Sequence, residues 1–155
     1  MNHTPTNPEA ESKEAHPLDP RIANALQELG ICYDTDPEGN FYMLVEFDDN
    51  RFQQVCIRSR TQEFLGVELR QIFSTALVSE GLFEPRTANL LLRENFDLIH
   101  GSWSVLHDPD ENEHFANFSL TAFASLHAVQ LSPLIECVAS TADDMENRLS
   151  GLDEF

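Results

Sequence analysis

The chain has 155 residues, the usual size of one domain, with 41% hydrophobic residues and eleven Phe to fill a core. Nine Lys and Arg stand against 27 Asp and Glu, a formal net charge of −18, so the basic patch that neutralises phosphates is missing and nucleic acid and anionic membranes are poor partners. No run approaches the roughly 20 apolar residues of a membrane span, and residues 1–20 show no basic region followed by an apolar run, so the expected compartment is the cytoplasm.

Residues 1–18 are polar, with Pro5, Pro8 and Pro17, and read as a flexible tail that cannot bury enough apolar surface to offset its ordering. A single domain is expected over 19–155. Asp19 is a good N-cap and Pro20 suits the first helical position. Ile22, Ala25, Leu26 and Leu29 then recur at helical spacing and Gly30 ends the pattern, which predicts a helix over 20–29. Three strands follow. Ile31–Thr35 is short and runs into the turn Asp36-Pro37-Glu38-Gly39-Asn40. In Phe41–Phe47 the residues Phe41, Met43, Val45 and Phe47 share one face, and Tyr42 and Leu44 suggest that the other is partly covered. After the turn Asp48-Asp49-Asn50, Phe52–Ser59 places Val55 and Ile57 on one face and Phe52, Cys56 and Arg58 on the other.

Leu69, Ile72, Phe73, Ala76 and Leu77 form a helical stripe within Gly66–Ser79. Glu84-Pro85 opens another helix, carrying Ala88, Leu91, Leu92 and Phe96. Ile99–Leu106 reads as a strand around Gly101 and Trp103, His107–Glu113 as a polar turn, and His114–Ala124 as a strand. In the last helix Ser132 is the expected cap and Pro133 the opening residue. Its stripe is Leu134, Val138, Thr141, Ala142, Met145 and Leu149, and Gly151 is the expected stop. The order α-βββ-α(α)-ββ-α implies an α+β fold, a five-stranded, mostly antiparallel sheet with helices packed on it.

That order resembles the type III secretion chaperone fold, and more closely the YbjN-type domains of bacteria. The resembling stretches are Leu29-Gly30-Ile31, Phe41-Tyr42-Met43-Leu44-Val45, Leu90-Leu91-Leu92-Arg93-Glu94-Asn95, Ile99-His100-Gly101-Ser102-Trp103, and the helix ending Ala142-Asp143-Asp144-Met145-Glu146. Together they span about residues 20–150. The resemblance implies a cytosolic homodimer that binds segments of another protein, and it brings no catalytic signature.

Other motifs are weighed by their chemistry. Asp34-Thr35-Asp36-Pro37-Glu38-Gly39 echoes the first half of a calcium loop, but Val45 stands where the bidentate Glu belongs, so a hairpin turn is the plainer reading. His107, Asp108, Asp110, Glu113 and His114 are metal-ligating types around a turn, but the two His are seven apart and need not converge, so a solvated turn is the plainer reading. Cys32, Cys56 and Cys137 lack a C-x-x-C pair, and all three are expected as buried free thiols. There is no G-x-S-x-G, glycine-rich phosphate loop or H-E-x-x-H, so no catalytic residue, cofactor or metal site is assigned and the chain reads as non-enzymatic.

The acidity reads as solubility or as selection of a basic or amphipathic partner. The last helix either packs its stripe on the sheet or walls a groove with an acidic rim. For a partner-binding surface the candidates are Tyr42, Leu44, Phe52 and Trp103, although a lone strand Trp is more often core than a ligand platform; Gly101 beside it leaves backbone accessible. The alternative function is a small-ligand or metal sensor using the Asp34 or His107 turns.

Overall fold

Capping fixes the first helix. The Asp19 carboxylate accepts the Arg21 backbone N–H at 2.9 Å, Pro20 opens α1 (Pro20–Leu29), and Gly30 closes it at φ 68°, a left-handed conformation that glycine adopts without steric cost. The computed structural model describes residues 17–48 and 50–150; the expected tail up to residue 16, Asp49 and the expected stop at Gly151 lie outside them. After α1 come β1 (Asp34–Thr35), β2 (Phe41–Glu46), β3 (Phe52–Ile57), β4 (Gln62–Phe64), β5 (Val67–Glu80), α2 (Pro85–Asp97), β6 (Ser102–Asp108), β7 (Glu113–Phe123) and α3 (Ala128–Ser150).

The class is α+β, as expected, but the sheet has seven strands rather than five. Its order is β1-β2-β3-β5-β7-β6, with β4 paired to β5 off that path, and every pairing is antiparallel. The two additional strands occupy Gln62–Glu80, where a helix was expected over Gly66–Ser79. Leu65 (φ 52°) and Gly66 (φ 77°) form a tight turn with two left-handed residues, which suits the twist of a hairpin and sends the chain back as β5. On β5 the apolar residues divide between faces: Ile72 and Ala76 are buried, while Leu69 and Phe73 on the other side are half-buried. A strand with apolar residues on both faces mimics helical spacing. A register shift between Thr75 and Leu77 interrupts its pairing with β7.

α3 begins at Ala128, so Ser132 and Pro133 lie inside it rather than at its start. Ala128 and Leu131 are core residues, and their burial outweighs the backbone hydrogen bond that Pro133 cannot donate. The Ser132 hydroxyl, free of a capping role, donates to Glu136 at 3.2 Å.

One core serves the described residues. Phe41, Met43, Val55, Ile57, Ile72, Phe118 and Leu120 meet Leu26 of α1, Leu91 of α2, and Ile135, Val138, Ala142 and Met145 of α3. All three helices contribute to this cluster, so they cover the same face of the sheet. The stripe of α3 is therefore mostly core, and only its last residue, Leu149, also lines a surface cavity. Several polar groups in the layer are paired: Ser74 donates to Gln53 at 3.0 Å, Gln53 donates to Glu146 at 2.6 Å, and Asp143 pairs with Arg51 at 3.0 Å. The guanidinium of Arg70, only 3% exposed, meets Asp19 at 2.6 Å and joins the start of α1 to β5.

Candidate functional site: the uncovered sheet face

The opposite face of the sheet carries none of the described helices. Strand register shows which side chains share it. Tyr42 lies opposite Cys56, Leu44 opposite Gln54 and Glu46 opposite Phe52 across β2 and β3. Cys56 lies opposite Phe73, which in turn faces Ser119 on β7. Asn117 and Thr121 continue the row on β7, and Ser102, Ser104 and Leu106 continue it on β6. The result is a polar middle, where Thr75 donates to Asn117 at 2.7 Å, between apolar flanks. On the flanks Leu44 (65% exposed), Phe52 (54%), Leu106 (52%) and Phe123 (56%) present large apolar groups to solvent.

Three of the four sequence candidates thus share this face. Leu44 and Phe52 are diagonal neighbours across β2 and β3, close enough for large side chains to cooperate. Tyr42 is half-buried, and its hydroxyl is already occupied, donating to Asp36 at 3.0 Å. Tyr42 and Leu44 also line a cavity of about 620 Å³ with Tyr33 and Gln54.

Trp103 is a correction. It is 5% exposed and stacks at a tilt on Phe118, ring centroids 5.3 Å apart, on the helix-covered face. Its backbone is held by Asn95 of α2, which donates to the Trp103 carbonyl at 3.1 Å and accepts its N–H at 2.6 Å. Gly101 admits the Phe118 ring: a Cβ there would stand 2.5 Å from it. Leu106, Phe123 and Phe73 are face residues that the sequence reading did not single out. The alternation of β7 was visible, but which side stays open is decided by where the helices pack.

The Asp36 turn is a hairpin connector. The Asp36 carboxylate accepts the Asn40 backbone N–H at 2.8 Å and its side-chain amide at 2.9 Å. Burial works against its charge, but the hydrogen bonds from Asn40 and Tyr42 outweigh burial and hold Asp36 below the usual carboxylate range. Burial, with the nearby Asp36 charge, pushes the Cys56 thiol up to about 12, so it stays protonated at neutral pH and is a poor nucleophile. Of the three cysteines expected to be buried, Cys32 and Cys137 are exposed. Cys32 lies in the connector between α1 and β1, and Cys137 on the outer side of α3, beside the buried Val138.

His107 and His114 face each other across β6 and β7, rings stacked with centroids 4.4 Å apart. His107 and His114 are strand residues, and the turn between the strands is the shorter Pro109–Asn112. The Asp108 carboxylate accepts the Asp110 N–H at 2.9 Å, so it shapes the turn. Among the described residues no group of three or more His, Cys, Asp or Glu is placed to hold a metal ion. None of their helices is long and apolar enough to cross a membrane.

No protein-family model matches the chain, and no curated protein matches it.

Proposed function

We propose that the chain is a non-enzymatic, protein-binding homodimer of the bacterial cytoplasm that grips a segment of a partner protein on the uncovered sheet face. The observation that carries this reading is the set Leu44, Phe52, Leu106 and Phe123, all exposed on one face that no described helix covers. Leu44 and Phe52 are neighbouring exposed apolar groups across β2 and β3, with Leu106 and Phe123 beyond the polar middle, and exposed apolar groups that adjoin on a sheet face mark a candidate contact patch. Burying a Leu or Phe of this kind contributes about 1.5–3 kcal/mol, against which stand the freedom and side-chain entropy lost on association. Within the polar middle Asn117 and Ser119 are buried, and the exposed Gln54, Thr121, Ser102 and Ser104 supply hydrogen-bonding groups for a segment laid across it. The charge of −18 favours a basic or amphipathic segment.

The homodimer half of the reading has its own surface. On α2, Leu92 and Phe96, with Ile99 just beyond the helix, are spaced i, i+4, i+7 and are all exposed, Phe96 at 91%. α2 packs beside β6, an end strand among the described residues, whose outer edge Asn95 caps only at Trp103. A second copy meeting this helix and edge would bury both.

The test is capture from the native lysate with wild-type protein and a Leu44→Ser/Phe52→Ser variant, alongside sedimentation of a Phe96→Ser variant. The reading expects a stoichiometric partner with wild type only, and a dimer weakened by Phe96→Ser. A monodisperse monomer that retains nothing would contradict it. The second reading, a small-ligand or metal sensor, is favoured by one observation: the buried Nδ1 of His114 has no hydrogen-bond partner. A thermal shift with divalent zinc that is abolished in His114→Gln would support it.

A further inference from the structure

The cations of this chain are few and unevenly spent. Of nine Lys and Arg, Arg21, Arg51, Arg70 and Arg148 form ion pairs. Arg86 and Arg93 make none among the described residues, yet both line one cavity of about 730 Å³ together with Arg148. They come from separate parts of the fold. Arg86, Leu90 and Arg93 fall at i, i+4 and i+7 on one side of α2, a different side from Leu92, Phe96 and Ile99. Arg148 comes from the last turn of α3, where it is held by Glu94 of α2 at 3.0 Å. The same lining carries the apolar side chains of Phe83, Leu90 and Leu149, with Ser79, Thr87 and Asn89 among the polar ones. Glu84 is the one carboxylate of the lining.

We propose that this cavity binds a small amphiphilic anion, a single carboxylate, phosphate or sulfonate head on an apolar body. The head lies between Arg86 and Arg93, whose planar forks match anionic oxygens, and the body lies on Phe83, Leu90 and Leu149. The volume is in the range of small-ligand sites, and an apolar floor with a few placed polar groups is their usual make-up. The net charge of −18 repels anions at long range, but at about 0.15 M salt that field is screened beyond roughly 8 Å, so the local guanidinium groups decide. This inference concerns a different surface from the sheet face and stands or falls separately from it.

The test is a titration of the full chain with 1-anilinonaphthalene-8-sulfonate, with the uncharged N-phenyl-1-naphthylamine, and with inorganic phosphate. The sulfonate should bind at one site per chain, about tenfold or more tighter than either the uncharged amine or phosphate, since losing one charge-assisted contact costs about a factor of ten. Arg86→Gln/Arg93→Gln should weaken sulfonate binding at least about tenfold, with circular dichroism unchanged, because both side chains are exposed. Raising the salt from about 0.15 M, where the long-range repulsion is already screened, to about 1 M should weaken it in the wild type, a readout that needs no variant. Equal affinity for the uncharged amine would overturn the proposal. So would a signal that survives the arginine substitutions but disappears in Leu44→Ser/Phe52→Ser, which would place the probe on the open sheet face.

Discussion

Asp19→Asn removes one charge at the junction of α1 and the sheet and leaves the buried Arg70 guanidinium unpaired. The wild-type pair is close, 2.6 Å, with Asp19 9% and Arg70 3% exposed at their side chains. The remaining acceptors of Arg70 are the carbonyls of Arg58 at 3.2 Å and Ala124 at 3.5 Å, which donate no compensating charge. Breaking a buried pair from one side costs about 3–5 kcal/mol, and for a chain of this size each kcal/mol moves Tm by about 2–4 °C, so Tm should fall by roughly 6–20 °C. Asn retains the N-cap, so the loss reports the ion pair and not the cap. Arg21→Ala is the control: Arg21 also pairs with Asp19 but is 43% exposed, and its loss should cost about 1 kcal/mol or less. Asp19→Asn/Arg70→Met, which removes both charges, should recover much of the loss. The same pair gives an acid limb. Burial works against the Asp19 charge, but hydrogen bonds from Arg21 and Arg70 hold its carboxyl far below the usual range. A depressed pKa means that the contribution is complete above about pH 4 and is lost as pH falls below that value toward the folded-state pKa. Thermal denaturation from pH 7 to pH 2 would show a steeper acid loss in wild type than in Asp19→Asn. An Asp19→Asn protein within 1 kcal/mol of wild type, with the same acid profile, would refute the reasoning.

Other outcomes follow from the same packing. Gly101→Ala combines a φ of 87° with a Cβ driven into the Phe118 ring, and should cost about 2–4 kcal/mol in a denaturant titration. Trp103→Ala should cost about 3–5 kcal/mol by the same measurement, while Leu44→Ser and Phe52→Ser should stay within about 0.5 kcal/mol of wild type. Iodoacetamide at pH 8 followed by mass spectrometry should modify Cys32 and Cys137 in the folded protein, and Cys56 only after unfolding.

What the sequence made legible was local. The cap at Asp19, the proline after it and Gly30 each act on their own neighbours, and α1 runs between them as expected. The alternation in Phe41–Phe47 likewise set the inner face of β2, where Phe41 and Met43 are buried. β5 was not legible, because Leu69, Ile72, Phe73, Ala76 and Leu77 satisfy helical spacing while a central strand with two apolar faces satisfies it as well. The cue that distinguishes them is β-branched and aromatic content, in Val67, Ile72, Phe73, Thr75 and Val78 after a Leu65-Gly66 turn. Trp103, read as a core residue and kept as a contact candidate, is core, because its face is assigned by pairing with Phe118 and by Asn95 of α2, neither of which is local to it. The arginine-lined cavity was invisible for the same reason: Arg148 joins Arg86 and Arg93 only after α2 and α3 have packed.

The central claim, that the uncovered sheet face holds a partner segment, is tested most directly by placing p-benzoylphenylalanine at position 52 or 123 and irradiating cells that express the full chain. The photoreactive group should form one discrete adduct with a second protein from either position, and the adduct should disappear when Leu44→Ser is added. The same group at position 96 should instead cross-link two copies of this chain. No adduct from 52 or 123, in protein that is folded and abundant, would contradict the account.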